Sequence, residues 1–490
     1  EAAVVDTDVT AGNALDVNAR SEQNIKARTI AGSVAVAGGS VGVAVSGSGA
    51  GVENRIATDV SAHISGSQTD VIANHVIVNA DDISTIDAVS AALSISAAFG
   101  QTAVAVSIGI SVSINNIAND VAASIDSGAR VTTSGADGVT VTASTPELLA
   151  AGSPTAFTLT GITASQLNDA STSDMDSNDA PVAADVSGDA AIAATLKSNL
   201  NTGQFGLKGD LRVSTVEEDL SWTVVDGEGT AVALTLDNGQ IKATRANINA
   251  VSAAAALAVA VGQVGVGIAG AGAVALNAIQ TNVQAFVDNA TLVANNEGDV
   301  LIDARSASEI NATVLAVSAA VAAGQVGIGV GIGVSIAKNF IGRDIAGNLV
   351  TDAGQVSAYA QNSSINAQGD LDIVANSEQS IRALTFAGAV AVAAGQVGVG
   401  VAGAGVYAEN HIDATTEAFI NGDGATGVRA DAILVEAHDS SLIKAVGAAA
   451  ALSAGFGMVG VAVSVGVSIG FNAIGSTVHA YISNADTAVE

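Results

Sequence analysis

Two stretches decide the reading: GQVGVGIAGAGAVALNAI at residues 262–279 and GQVGVGVAGAGVYAENHI at residues 395–412. Each opens on Gly-Gln, alternates Val with small residues, and ends on Asn-x-Ile. The tripeptide closes a charge-poor Val/Ala/Gly run six times: Asn54/Ile56, Asn115/Ile117, Asn277/Ile279, Asn339/Ile341, Asn410/Ile412 and Asn472/Ile474. Successive Asn residues are 61, 162, 62, 71 and 62 positions apart. The excess of 162 over 62 marks a 100-residue insertion, and that of 71 over 62 a 9-residue one. A fixed period of this length means an array of units, each burying its apolar face on its neighbours. It argues against an enzyme, because a repeated position does not serve as a unique catalytic residue.

The runs read as strands. Val41, Val43 and Val45 alternate with small residues, as do Val104/Val106/Ile108/Ile110/Val112/Ile114 and Val459/Val461/Val463/Val465/Val467/Ile469. A period of two puts these side chains on one strand face, and β-branching suits that geometry. The same pattern excludes membrane helices, although residues 250–282 and 445–478 carry no charge.

Every unit has the same plan. A short strand ends in Ala, as in Val76–Ala80, Val300–Ala304 and Ile433–Ala437; a small-residue strand follows, then a Gly turn, then the long alternating strand. Eight residues after the Asn an Ala recurs with an apolar residue two further on: Ala62/Ile64, Ala123/Ile125, Ala285/Val287, Ala418/Ile420, Ala480/Ile482. Units alternate between Gly/Ala-rich strands (46–51, 269–274, 402–407) and Ile-Ser or Val-Ser strands (109–114, 331–336, 464–469). The repeat is therefore a pair, and thin strands beside thick ones are expected to keep the core filled.

These features predict an all-β fold: an elongated parallel β-solenoid of six units in alternating pairs, with one small, mostly-β inserted domain. Repeats occupy 1–144 and 240–490, and the insertion 145–239. Whether one unit makes one coil or several, or a stack of antiparallel hairpins turning at Gly-Gln, is left open by the period alone. The six asparagines, at one phase of the unit, are expected to stack as a side-chain amide ladder. The two termini fall at a similar phase, from which we expect continuation within a longer array.

The insertion differs in composition. It holds all three Pro residues and Trp222. Residues 187–200 read as a short helix, and residues 207–237 as an antiparallel meander through Leu211–Val213, Trp222–Val225 and Ala231–Leu236. Within it Asp174, Asp176, Asn178 and Asp185 partly match a calcium loop, with oxygens at positions 1, 3, 5 and 12. Asp179 stands where that loop has Gly, and Pro181 follows, so a solvated acidic loop is the plainer reading. Ca²⁺ is the one cofactor the sequence suggests.

Other motifs fade in context. Gly265-x-Gly267-x-x-Gly270 and Gly398-x-Gly400-x-x-Gly403 match a dinucleotide fingerprint, but that needs a following helix. Gly466-x-Ser468-x-Gly470 matches a nucleophile elbow without the helix; we take Ser113 and Ser335 as counterparts of Ser468. His63, His75, His411, His438 and His479 are dispersed, with His63 and His479 at one repeat phase. No cysteine is present, which removes disulfides and thiolate metal sites. The net charge of −31 repels nucleic acid and anionic membranes.

The GQVGVG and GQVGIG turn-and-strand segments (262–267, 395–400, 324–329), Asn-x-Ile and the trailing Ala-x-Ile resemble repeats of leukotoxin-type filamentous adhesins. More broadly they resemble filamentous haemagglutinin-like bacterial exoproteins. The resemblance covers about 1–145 and 240–490 and leaves the insertion out. It implies export, a β-solenoid stalk, and attachment to cells or surfaces; it carries over no functional residue. The expectation is a structural, adhesive segment of a giant extracellular or cell-surface protein, a rod or a self-assembled filament or sheath. Its partners would be copies of itself, head-to-tail or lateral, and host or neighbouring cell surfaces or glycans. The alternatives are a stalk presenting residues 145–239 as a binding module, or a carbohydrate-active β-helix, which would need charged residues clustered on one face.

Overall fold

The fold is known from a computed structural model, which describes residues 1–145 and 248–487, and the backbone of four strands between 212 and 244. The candidate calcium residues Asp174, Asp176, Asn178 and Asp185, and the expected helix 187–200, lie outside the described residues.

The protein is all-β, and its large sheets are built from parallel strands. Strand follows strand because the backbone of every small-residue run finds a matching run one unit away. Ala14–Ser65 pairs with His75–Asp126 in parallel over nearly its full length, Asn54 opposite Asn115. The offset of 61 or 62 residues, lengthened only by the insertions, recurs in every long pairing. One unit therefore makes one complete layer, and the hairpin alternative fails: described pairing between units is parallel throughout.

Each layer has two long arms and a short closing strand. In layer 2 the first arm spans residues 75–100, the chain turns at Gly100-Gln101, and the second arm returns over residues 102–126. Arg130–Thr133 then closes the layer. Layer 1 uses Ala14–Ser65 in the same way. The later layers break at the turn: Val264–Asp288, Val397–Asn421 and Val459–Ser483 are the second arms of layers 3, 5 and 6. The closing strands form their own six-stranded sheet.

The two walls are separated by different amounts along their length. At the closed end, Val76, Val78, Val121, Ile125 and Val131 and their equivalents fill a three-sided core. A layer of isoleucines follows, among them Ile86, Ile117, Ile279, Ile310 and Ile412. Towards the turn the interior narrows to mostly Ala, Gly and Ser, with Val314, Thr385 and Val406 the larger side chains admitted. There the walls touch backbone to backbone: a Cβ on Gly265 would lie 2.8 Å from the carbonyl oxygen of Ala323, and one on Gly327 2.9 Å from that of Ala394. Serines bridge the narrow space, Ser111 Oγ donating to the Ser90 carbonyl at 2.8 Å and Ser252 Oγ to Ser111 Oγ at 2.9 Å.

Register corrects several expectations. The alternation of thin and thick strands does not fill the core. In 331–336 and 109–114 the Ile and Val side chains point outward and the Gly and Ser inward, whereas in 269–274 Ala points inward and Gly outward. The array resumes at Ile248 rather than near Ile241, because Gln240–Thr244 pairs with Ala231–Asp237 in a four-stranded antiparallel sheet. That sheet contains the expected meander strands Arg212–Glu217, Ser221–Val225 and Ala231–Asp237. The 9-residue excess of layer 4 is a net figure. The offset from layer 3 rises from 62 to 73 where the second arm stops at Ile341 and resumes at Gln355, an 11-residue insertion. It falls to 71 because two residues fewer separate Ala367 from Leu371 than separate their partners in layer 3. The missing copy of the Ala-x-Ile phase is thereby Ala358/Ala360, opposite Ala285/Val287.

Candidate functional site

Three constellations are built by the register, and the first two repeat along the stack. The first is the asparagine ladder. Asn54, Asn115, Asn277, Asn339, Asn410 and Asn472 all point inward from the second arm. Each Nδ2 donates to the Oδ1 of the next: 2.8 Å from Asn54 to Asn115, 2.8 Å to Asn277, 2.7 Å to Asn339, 2.8 Å to Asn410 and 2.8 Å to Asn472. The amide fits because its donor and acceptor lie on opposite sides of one planar group, so one rotamer repeated every layer satisfies both. Both sides being occupied, the row's chemistry is cohesion rather than ligand binding.

The second is an aromatic ladder on the outer face of the second arm. Phe286, Tyr359, Phe419 and Tyr481 stack with centroids 5.0, 4.8 and 5.0 Å apart and rings 4° from parallel. Ser124 and His63 occupy that row in layers 2 and 1. Surface aromatics invite a sugar, but a sugar stacks on a ring face, and here the faces between layers are spent on one another. The Tyr359 hydroxyl is pushed up to about 12 by burial, then by the charges of Asp288 and Asp126. Sequence reasoning missed this ladder; the signal was Phe419 and Tyr481 immediately after the recurring Ala418 and Ala480.

The third is a charged cluster on layers 4 and 5. Lys338 Nζ lies 3.0 Å from Glu409, the Tyr407 hydroxyl donates to Glu409 at 2.9 Å, and His411 Nε2 is 3.4 Å away. Burial works against the Glu409 charge, but the hydrogen bonds from Lys338 and Tyr407 and the charges of Lys338 and His411 outweigh it and hold its pKa down. Arg343 pairs with Asp413 close by and donates to the Gly347 carbonyl at 3.0 Å, fastening the 342–354 loop. The groups neutralise each other and read as a rivet between layers.

Inside the stack, Asp82 is buried and bonded to Asn119 Nδ2, while Asn119 Oδ1 finds no donor. Burial raises the Asp82 pKa against the hydrogen bonds of Ser84, Ser21 and Asn119. Among the described residues no group of three or more His, Cys, Asp or Glu is arranged to hold a metal.

The tempting motifs fall where strands need them. Gly265, Gly267, Gly398 and Gly400 face inward against a carbonyl of the opposite wall, and each run continues as strand. Ser468 shares its register row with Ser335 and Ser111, so Ser113 is not its counterpart, which lies two residues before Asn115 rather than four. His63 and His479 also occupy different rows: His63 follows its Ala and aligns with Tyr481, whereas His479 precedes Ala480 and lies 3.1 Å from Glu417.

The broadest candidate is a surface. Towards the turn, the outward positions of the second arm are Val, Ile and Gly in nearly every layer, with Thr102 and Tyr407 the exceptions in the first six columns. The first arm is similarly apolar outside, with Ile30, Val34 and Val36 70–78% exposed. Charges begin nearer the closed end, at Glu53, Lys338 and Glu409. Among the described residues no helix is long and apolar enough to cross a membrane.

Proposed function

We infer the function from the fold itself, because no family profile, characterised protein or solved structure matches the chain.

We propose that the chain is a β-solenoid segment with one coil per repeat unit. It serves as a stiff structural and adhesive element of a giant secreted or cell-surface protein of the filamentous adhesin type. The observation that carries this is the unbroken amide ladder through all six layers, 2.7–2.8 Å at every step. Such a row stabilises a stack and catalyses nothing. In-register strands satisfy most backbone groups between layers, giving a body that resists bending and proteolysis. Continuation by further layers, from the same polypeptide or another copy, belongs to this proposal, as do an extracellular location and contact with cell surfaces or glycans.

Electron microscopy of the purified chain, with limited proteolysis, tests the reading. Uniform rods or filaments with a protected core of layers are the expected result. Compact particles digested evenly along the chain would overturn it. A second reading makes the stack a stalk for residues 146–247, because the chain leaves the first arm of layer 3 after Thr145 and rejoins the same arm at Ile248. Deleting that segment while retaining the rod but losing adhesion would favour it.

A further inference from the structure

The outer face of the second arm is corrugated as well as apolar. In layers 1, 3 and 5 its middle columns are Gly47 and Gly49, Gly270 and Gly272, and Gly403 and Gly405. A Cβ built on any of the six meets nothing within 4 Å, so each pair is an open slot. In layers 2, 4 and 6 the same columns carry Ile108 and Ile110, Ile332 and Val334, and Val465 and Val467. These stand into solvent, Ile110 and Ile332 each 50% exposed. Ridges and slots thus alternate with a two-layer period of about 9.6 Å, from the usual strand spacing.

Glycine weakens a strand interior, and no close approach within the molecule requires it at these six positions. Something entering the slot supplies a reason. The partner must carry apolar ridges at the same two-layer period, and this face itself has them. A lipid surface has no such period and would gain more from Val than from Gly. The first-arm face, equally apolar, shows a comparable alternation in one row only: Gly32, Leu93, Ala255, Val317, Gly388 and Ala450.

We propose that the second-arm face is a homotypic docking surface, on which a second copy of this chain packs with its ridges in these slots. A two-fold axis along the strands, placed between a ridge layer and a slot layer, reverses the order of layers. It sets every ridge opposite a slot while the uncharged halves overlap in full. The interface is isologous and resembles a dry zipper. Six layers of about 4.8 Å by ten residues of about 3.3 Å give roughly 950 Å² per copy, or about 1,900 Å² buried in all, within the range of stable interfaces. A face of that size exceeds the apolar patch an ordinary monomer leaves open. The proposal rests on the rigid layer stack of the fibrous reading and adds its lateral partner.

Sedimentation equilibrium of the full chain tests it, using wild type, a slot-filled variant (Gly270→Val, Gly272→Val, Gly403→Val, Gly405→Val) and a ridge variant (Ile110→Lys, Ile332→Lys). The expected result is wild-type pairing weakened at least tenfold by either set, with circular dichroism and melting of the slot-filled variant at or above wild type. The slot-filled face is the more hydrophobic, so its loss of pairing separates shape recognition from general stickiness. Slot-filled protein pairing as well as wild type, or wild type remaining monomeric, would overturn the proposal. So would wild type partitioning into neutral phosphatidylcholine vesicles more weakly than the slot-filled variant, with no pairing. Intact single rods by microscopy would locate that failure in the docking surface rather than in the stack.

Discussion

Replacing Asn277 with Ala removes the middle rung of the amide ladder. Asn277 is fully buried, accepts from Asn115 Nδ2 at 2.8 Å and donates to Asn339 Oδ1 at 2.7 Å. Asn115 Nδ2 keeps Ser113 Oγ at 3.1 Å, but Asn339 Oδ1 loses its donor at a fully buried position. A lost hydrogen bond costs about 1 kcal/mol net and an orphaned buried acceptor about 1–3 kcal/mol, so Asn277→Ala should destabilise by about 2–4 kcal/mol. Asn472→Ala is the internal control. Asn472 only accepts, from Asn410 Nδ2 at 2.8 Å, and stands in an exposed layer, so water replaces the loss and the cost should stay below about 1 kcal/mol. Urea unfolding followed by circular dichroism gives both values, and hydrogen exchange of Val264–Asp288 and Val326–Ile341 locates the loosening. Equal losses for the two variants, or a loss below about 0.5 kcal/mol for Asn277→Ala, would refute the assignment of cohesion to the ladder.

Other expectations follow from local geometry. Gly324→Ala would put a Cβ 1.9 Å from the Gly262 carbonyl oxygen, whereas at Gly403 the space is open; thermal unfolding should show the first substitution costing more than about 2 kcal/mol and the second stabilising by about 0.4–1 kcal/mol. Burial raises the pKa of Asp82, Asp288, Asp303 and Asp372. The native state therefore binds their protons more tightly than the unfolded chain does. Stability should rise as pH falls from neutral through the raised native values, the gain ending near the unfolded value of about 3.9. Asp82→Asn should raise stability at neutral pH and reduce this gain, measured as melting temperature against pH. Tyr359→Ala breaks two stacked contacts, each worth about 0.5–1.5 kcal/mol beyond area; near-ultraviolet circular dichroism should lose its aromatic signal, and an unchanged spectrum would contradict the ladder.

Much of the architecture was legible because a period written in unusual residues needs no neighbour to interpret it. Asn-x-Ile recurs at one phase, and parallel stacking turns sequence offset directly into spatial adjacency. What stayed hidden depended on which side of a strand is inside. Alternation distinguishes two faces, and size ordinarily assigns the larger residues to the core. Here the walls approach until Gly265 nearly touches the Ala323 carbonyl. Gly, Ala and Ser therefore fill most of the space between them, Val314, Thr385 and Val406 being the larger exceptions, and most Val and Ile are turned out. The end of the insertion was misplaced for a similar reason. Residues 240–244 have ordinary strand composition, and only pairing shows to which sheet they belong. The fourth Ala of its row, Ala358, was lost because the 342–354 loop displaced it from Asn339, and the docking face because its glycines had been credited to core packing.

The way the chain departs from a layer and returns to it has a metrical consequence. Layer 3 spends 162 residues where its neighbours spend 61 or 62, yet Ile248 lies level with Ile86 on one side and Ile310 on the other. Height along the stack is therefore counted in layers, about 4.8 Å each, and not in residues. A graft of 100 residues adds no length to the body that carries it. The molecule is a graduated ruler: whatever is spliced at such a break keeps its address, and every feature beyond it keeps its distance.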